Sequence, residues 1–138
     1  MKRFEEIPHT ADWSFRAFGG DLCELFENAA HALFALEGAQ ARRPADETMR
    51  LVTVSAIDYP SLLVNWLTEL LWLQESHHET YLRFRIERLS PTELCAEAFG
   101  APLTRLDTPT ARIKAVTYHN LTIEQTARGW EAVVVVDV

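Results

Sequence analysis

The 138-residue sequence predicts an α+β fold, an antiparallel or mixed β-sheet packed with two main α-helices. Two observations lead there. Segments with strand-like period or Val/Thr-rich composition recur along the chain, and only two stretches have helical spacing, around Leu22–Phe34 and Leu62–Gln74. A third bounds the architecture: no linker, internal repeat or low-complexity tract divides the chain. Residues 1–138 therefore read as a single domain, long enough to bury a core without disulfides or metal staples.

Phe4–Ile7 is a short strand candidate ended by Pro8. Trp13, Phe15 and Ala17 then alternate with Ser14, Arg16 and Phe18, the period of a half-buried strand, until Gly19-Gly20 breaks it. Asp21 with Glu24 three residues later forms a capping box. Beyond it Leu22, Leu25, Phe26, Ala29, Ala30, Leu33 and Phe34 make one helical apolar stripe, ending near Gly38. Ala39–Glu47 reads as an exposed loop and Met49–Ala56 as a long strand. Asp58-Tyr59-Pro60-Ser61 is a strand-to-helix turn, with Pro60 in the first helical turn, where its missing N–H costs little. The helix that follows is apolar nearly all round, which predicts cover on more than one side and core roles for Trp66 and Trp72. Tyr81–Leu89 and Glu93–Phe99 read as a hairpin around Ser90-Pro91-Thr92, and Gly100–Pro109 as loop. Ile113–His119, Leu121–Thr126 and Trp130–Asp137 close the chain as an antiparallel meander turned at Asn120 and Arg128-Gly129, with Trp13 and Trp130 packed on strand faces.

Composition excludes several function classes. No apolar run reaches the roughly 20 residues needed to span a bilayer, and Met1-Lys2-Arg3 leads into Phe4-Glu5-Glu6 rather than into an apolar signal core. A cytoplasmic protein with no membrane partner is expected. The two cysteines, Cys23 and Cys95, are far apart and suggest neither a disulfide framework nor a zinc site. A formal charge of −7 argues against a broad nucleic-acid grip, so any RNA would be held through a partner. There is no phosphate-cradling glycine loop, nucleophile elbow or His-Glu-x-x-His.

The polar residues that stand out are His9, Asp12, Lys114, His119 and Asp137, with the carboxylate of Val138. Each has an everyday role. Asp12 can start a strand, Asp137 can be a solvated strand end, and Lys114 can be a surface lysine whose stem lies along the protein. His9 and His119 beside turns read as hydrogen-bonded structural residues, His31 as surface, and His77-His78 as a frayed helix end. The functional reading joins them. First and last strands of one sheet often lie side by side, so Asp12, Asp137 and Val138 could gather oxygens that a hard cation would bind. Oxygen ligands favour Ca²⁺, Mg²⁺ or Mn²⁺ over zinc, and Lys114 would partly balance the charge or hold a partner's phosphate.

Phe4-Glu5-Glu6-Ile7-Pro8-His9-Thr10-Ala11-Asp12, Leu25-Phe26-Glu27-Asn28-Ala29-Ala30, Leu62-Leu63-Val64-Asn65-Trp66-Leu67-Thr68-Glu69-Leu70-Leu71, Ile113-Lys114-Ala115-Val116-Thr117-Tyr118-His119 and Val136-Asp137-Val138 together resemble the archease family, in order and over nearly the whole chain. The combination of His-Thr-Ala-Asp with Lys-Ala-Val-Thr-Tyr-His is the specific part. The resemblance implies an accessory protein, not itself an enzyme, that activates the tRNA-splicing RNA ligase. That ligase joins a 3′-phosphate or 2′,3′-cyclic phosphate end to a 5′-hydroxyl with GTP and a divalent metal, and the accessory factor promotes its guanylylation and multiple turnover. Carried over by position, Asp12, Asp137 and Val138 become ligands of a divalent cation, calcium foremost with magnesium or manganese as alternatives. Lys114 becomes the lysine essential for ligase activation. Arg112 departs from the acidic or polar residue of the family pattern. The resemblance leaves open whether the RNA pathway is splicing or repair, and the oligomeric state.

Two other readings stand beside it. A stand-alone metal-dependent phosphohydrolase would use His9, Asp12, His119 and Asp137, although the histidines lack a recognisable ligand spacing. A chaperone or interaction module would rest on the heavily apolar second helix.

Overall fold

The structure is a computed structural model that describes residues 2–8, 13–38, 47–103 and 112–138. Strands β1 (Phe4–Ile7) and β2 (Trp13–Gly19) pair antiparallel, and helix α1 (Leu22–Glu37) follows. Asp21 caps α1 by accepting from the Glu24 amide at 2.8 Å, while the Glu24 carboxylate reaches back to the Gly20 N–H at 2.9 Å. Gly38 ends the helix in the left-handed conformation, φ 70°, which glycine adopts without strain. Next come β3 (Thr48–Ser55), α2 (Tyr59–His77), β4 (Glu79–Leu89), β5 (Glu93–Pro102), β6 (Ala115–Val116), β7 (Thr122–Thr126) and β8 (Gly129–Asp137). Asp58 caps α2 by accepting from the Ser61 amide at 2.9 Å, and His78 closes it in the left-handed region.

The expected α+β plan holds, but the strands form two antiparallel sheets rather than one. Five strands run in the order β1-β2-β8-β6, with β7 also on β8, and three run in the order β3-β5-β4. Both helices touch both sheets and so form the seam between them. The core is the inward stripe of α1 (Leu25, Phe26, Ala29, Leu33) against Leu62, Leu63, Trp66, Leu67 and Leu70 of α2. Each large side chain fully buried there stabilises by roughly 1.5–3 kcal/mol. Two polar groups inside are matched: Trp66 Nε1 donates to the Phe26 carbonyl at 3.0 Å, and Asn28 Nδ2 to that of Phe18 at 2.7 Å.

Four expectations are corrected. Trp72 is 59% exposed instead of buried, because only one broad stripe of α2 faces the seam. His31 is half-buried, its ring edge-on to Phe84 at 5.0 Å, because the apolar stripe of α1 is wide enough to reach the flank. Gly100–Pro102, expected as loop, extends β5 opposite Glu79–Tyr81, where a Cβ on Gly100 would stand 2.2 Å from the Thr80 carbonyl oxygen. Of the expected closing meander, the β7–β8 hairpin turned at Arg128-Gly129 is present, and the β6–β7 pairing is not. Both β6 and β7 lie along the same edge of β8, β6 at its end and β7 at its start. The loop expected at Ala39–Glu47 lies, but for Glu47, outside the described residues, as does the stretch 104–109.

The start of the three-stranded sheet is tied by a buried carboxylate. Glu79 accepts from Arg50 Nη2 at 2.7 Å and Nε at 3.1 Å, and from the Tyr81 hydroxyl at 2.9 Å. Burial would raise the Glu79 carboxyl, but the Arg50 guanidinium and Tyr81 outweigh it and hold it below the usual carboxylate range. Its stabilisation is therefore present above the unfolded-state value and lost as pH falls through the folded one. Removal of the charge in Glu79→Gln is expected to lower the unfolding free energy by about 1–3 kcal/mol at pH 7, measured by urea denaturation. His31 acts at higher pH. Burial pushes its imidazole down to about 4, so the folded state resists protonation and stability declines as pH drops from about 6.5 toward 4. Proton NMR should place the His31 midpoint near 4, and His31→Gln should flatten the stability curve over that interval.

Candidate functional site

The sequence-selected residues that are described meet where β8 ends. Its Val133–Val136 stretch pairs with β2 on one edge, Arg16↔Val133 through Trp13↔Val136. On the other edge Ala115 pairs with Asp137 and Val116 with Val136. The start of β2, the end of β8 and the start of β6 are therefore brought to one end of the sheet.

The Lys114 N–H donates to the Asp137 carbonyl at 2.7 Å, and the register continued by one residue sets Lys114 opposite Val138. Lys114 was expected within a strand running from Ile113 to His119; the regular ladder covers only Ala115 and Val116, with flanking bonds at Lys114 and Thr117. Thr117 bonds the Val135 carbonyl twice, through its amide at 3.0 Å and its hydroxyl at 2.9 Å, and its hydroxyl oxygen also accepts from the His119 amide at 3.2 Å. That turns the chain out of the sheet at Tyr118. Lys114, Asp137, Val138, Tyr118 and His119 are all exposed, so an ammonium and a carboxylate are accessible to a partner or ion. The His119 ring lies 3.3 Å from the Asn120 amide nitrogen. Asp12 and His9 lie outside the described residues.

Beside this tip runs an open groove of about 490 Å³ between α2 and the β6 segment, lined by Thr68, Trp72 and Glu75 on one wall and Arg112, Lys114 and Val116 on the other. Sequence reasoning placed Trp72 in the core and so missed it here; the signal was its place opposite the most apolar stripe of α2. Below the groove floor, Ile113 is anchored from inside the protein, its amide donating to the Glu37 carboxylate at 3.1 Å. Among the described residues, no three His, Cys, Asp or Glu side chains converge as a metal cluster, and Cys23 and Cys95 are free thiols. No helix among them is long and apolar enough to cross a membrane.

A profile of the Archease protein family (MTH1598/TM1083) matches residues 4–138. The chain belongs to the archease family. It is 42% identical over 142 residues to the archease of Methanosarcina acetivorans, covering 99% of this chain and 97% of that one. It is 35% identical over 144 residues to the archease of Pyrococcus abyssi, covering both chains fully. The solution structure of Methanobacterium thermoautotrophicum protein 1598 superposes with a TM-score of 0.79 at 32% identity over the whole of both chains. The crystal structure of an archease from Thermotoga maritima, described as a possible chaperone, does so with a TM-score of 0.68 at 25% identity over 97% of this chain and 96% of that one. The two-helix, antiparallel α+β architecture is thus the archease fold.

Thr117 locks the exit of the β6 segment. Thr117→Val, which keeps the shape but removes the hydroxyl, should destabilise by about 1 kcal/mol in chemical denaturation and speed hydrogen exchange at the His119 amide.

Proposed function

We propose that this archease-family chain is a metal-binding accessory protein that activates a GTP-dependent RNA ligase of the tRNA-splicing type. The observation that supports it is the convergence at the end of β8: Trp13 opposite Val136, Ala115 opposite Asp137, and the Lys114 amide on the Asp137 carbonyl. Asp12 immediately precedes Trp13 in sequence, and Asp137 immediately follows the partner of Trp13.

The donor chemistry fits one hard cation. Asp137 supplies an exposed carboxylate, Val138 a main-chain or terminal oxygen, and Asp12 a second side-chain carboxylate; calcium, magnesium or manganese all accept such oxygens. The cation, when bound, supplies positive charge toward triphosphate oxygens. Lys114, exposed beside it, contributes a second positive charge that a phosphate can meet. Asp137 and Lys114 are joined through their backbones, so the two residues move as one unit when the tip enters a nucleotide site. Such a tip promotes guanylyl transfer to the ligase histidine by stabilising charge and positioning the triphosphate. The chain does not itself need a nucleophile, consistent with an activator rather than an enzyme. The formal charge of −7 favours docking on a basic RNA-handling cleft of the ligase, with RNA contacted only through that partner.

Two measurements decide it. Asp12→Ala and Asp137→Ala should each weaken uptake of calcium, magnesium or manganese by about 10–100-fold in calorimetry. Either of these, or Lys114→Ala, should reduce ligase guanylylation and turnover to near the level without the chain. Full activation by all three variants would refute the reading.

A further inference from the structure

Glu37 is the last residue of α1, and three features make it an anomaly that stability alone does not explain. Its side chain is fully buried. A carboxylate at a helix C-terminus faces the negative end of the helix dipole. Burial pushes its carboxyl above the usual carboxylate range, and the Ile113 amide, the Gln74 side chain and the Arg112 charge recover only part of that. An apolar residue would continue the stripe formed by Leu33 and Phe34 without any of these penalties.

What the carboxylate does is hold a strand it is not part of. Oε2 accepts from the Ile113 N–H at 3.1 Å, in a bond closing a loop of 76 positions. The next residue, Lys114, donates its own N–H outward to Asp137 at 2.7 Å, and Ala115 pairs with Asp137. Successive amides are thus bonded to opposite partners, Ile113 to α1 and Lys114 to β8. β6 is two residues long, too short for its ladder alone to set the approach of the chain. Gln74 of α2 is buried beside Glu37 and Ile113 is itself buried, so the clamp joins both helices to the segment that precedes Lys114.

We infer that Glu37 is a positioning residue, which from within the core fixes the backbone of Ile113 and thereby sets where Lys114 stands beside Asp137. Its consequence for ligase activation rests on the function proposed above; its consequence for the backbone does not.

Hydrogen exchange tests the backbone part. Glu37→Gln retains an acceptor oxygen of the same shape, and Glu37→Leu removes it. The Ile113 and Lys114 amides should exchange about tenfold faster in Glu37→Leu, beyond any change in global unfolding, and within about threefold of the parent in Glu37→Gln. At saturating concentrations, Glu37→Leu should lower ligase guanylylation while its Kd for the ligase stays within about twofold of the parent, and Glu37→Gln should restore guanylylation. If Glu37→Leu does not fold, the parent protein still decides: the Ile113 amide proton should shift with the Glu37 carboxyl titration in NMR. Parent-like exchange in a folded Glu37→Leu, or an Ile113 amide blind to that titration, overturns the assignment. Full activation by Lys114→Ala would instead remove the proposed function and leave the exchange result standing.

Discussion

The whole arrangement depends on β8 being hydrogen-bonded along both edges. A strand flanked on both sides has partners for the backbone groups of both its edges, and here the flanking partners come from opposite ends of the chain: β2 on one edge, β7 and β6 in succession on the other. A shift of one residue in the β2–β8 register would turn Phe15 and Ala17, both fully buried, to the wrong face. The core therefore sets the register, and the register sets which residues reach the end of the sheet. Gly129 makes the tight entry possible: its φ of +133° and the Gly19 carbonyl oxygen only 2.3 Å from where a Cβ would stand admit no side chain.

Helix α1 links the two sheets by a repeated device. Glu27 accepts from the Ile86 amide at 2.9 Å, at the irregularity of β4, and Glu37 accepts from Ile113 before β6. Burial raises both carboxyls. Each satisfies a backbone donor that a short or bulged strand leaves without a ladder partner, which is where a side-chain acceptor is worth most. The apolar stripe of α1 supplies the adhesion between the sheets, and these two carboxylates supply the alignment.

Much of the local structure was legible because its causes are local. Asp21 with Glu24 and Gly38 bracket α1, and Asp58 with Pro60 opens α2, through capping geometry that a few neighbouring residues complete. The period of two through Trp13–Phe18 and the Val133–Val136 run mark strands because alternation or full burial demands those side chains. Trp72 was misjudged because composition cannot say which side of an apolar helix meets the seam. His31 was misjudged because the aromatic it touches, Phe84, is remote in sequence. The meander was expected because adjacent segments usually pair; here β6 is displaced along β8, bonded to its end and anchored by α1.

By itself the sequence determined the class of fold, the helix boundaries, the family and the identity of Lys114, Asp137 and Val138 as residues worth following. These rest on periodicity, caps and short motifs, all properties of neighbouring residues. Only the tertiary structure decided that the strands divide into two sheets, that Lys114 is bonded to Asp137, and that Glu37 reaches Ile113 through the core. Those contacts join residues 23 and 76 positions apart: the first follows from the register of β6 on β8, and the second forms because burial leaves the Ile113 donor no water to bond instead.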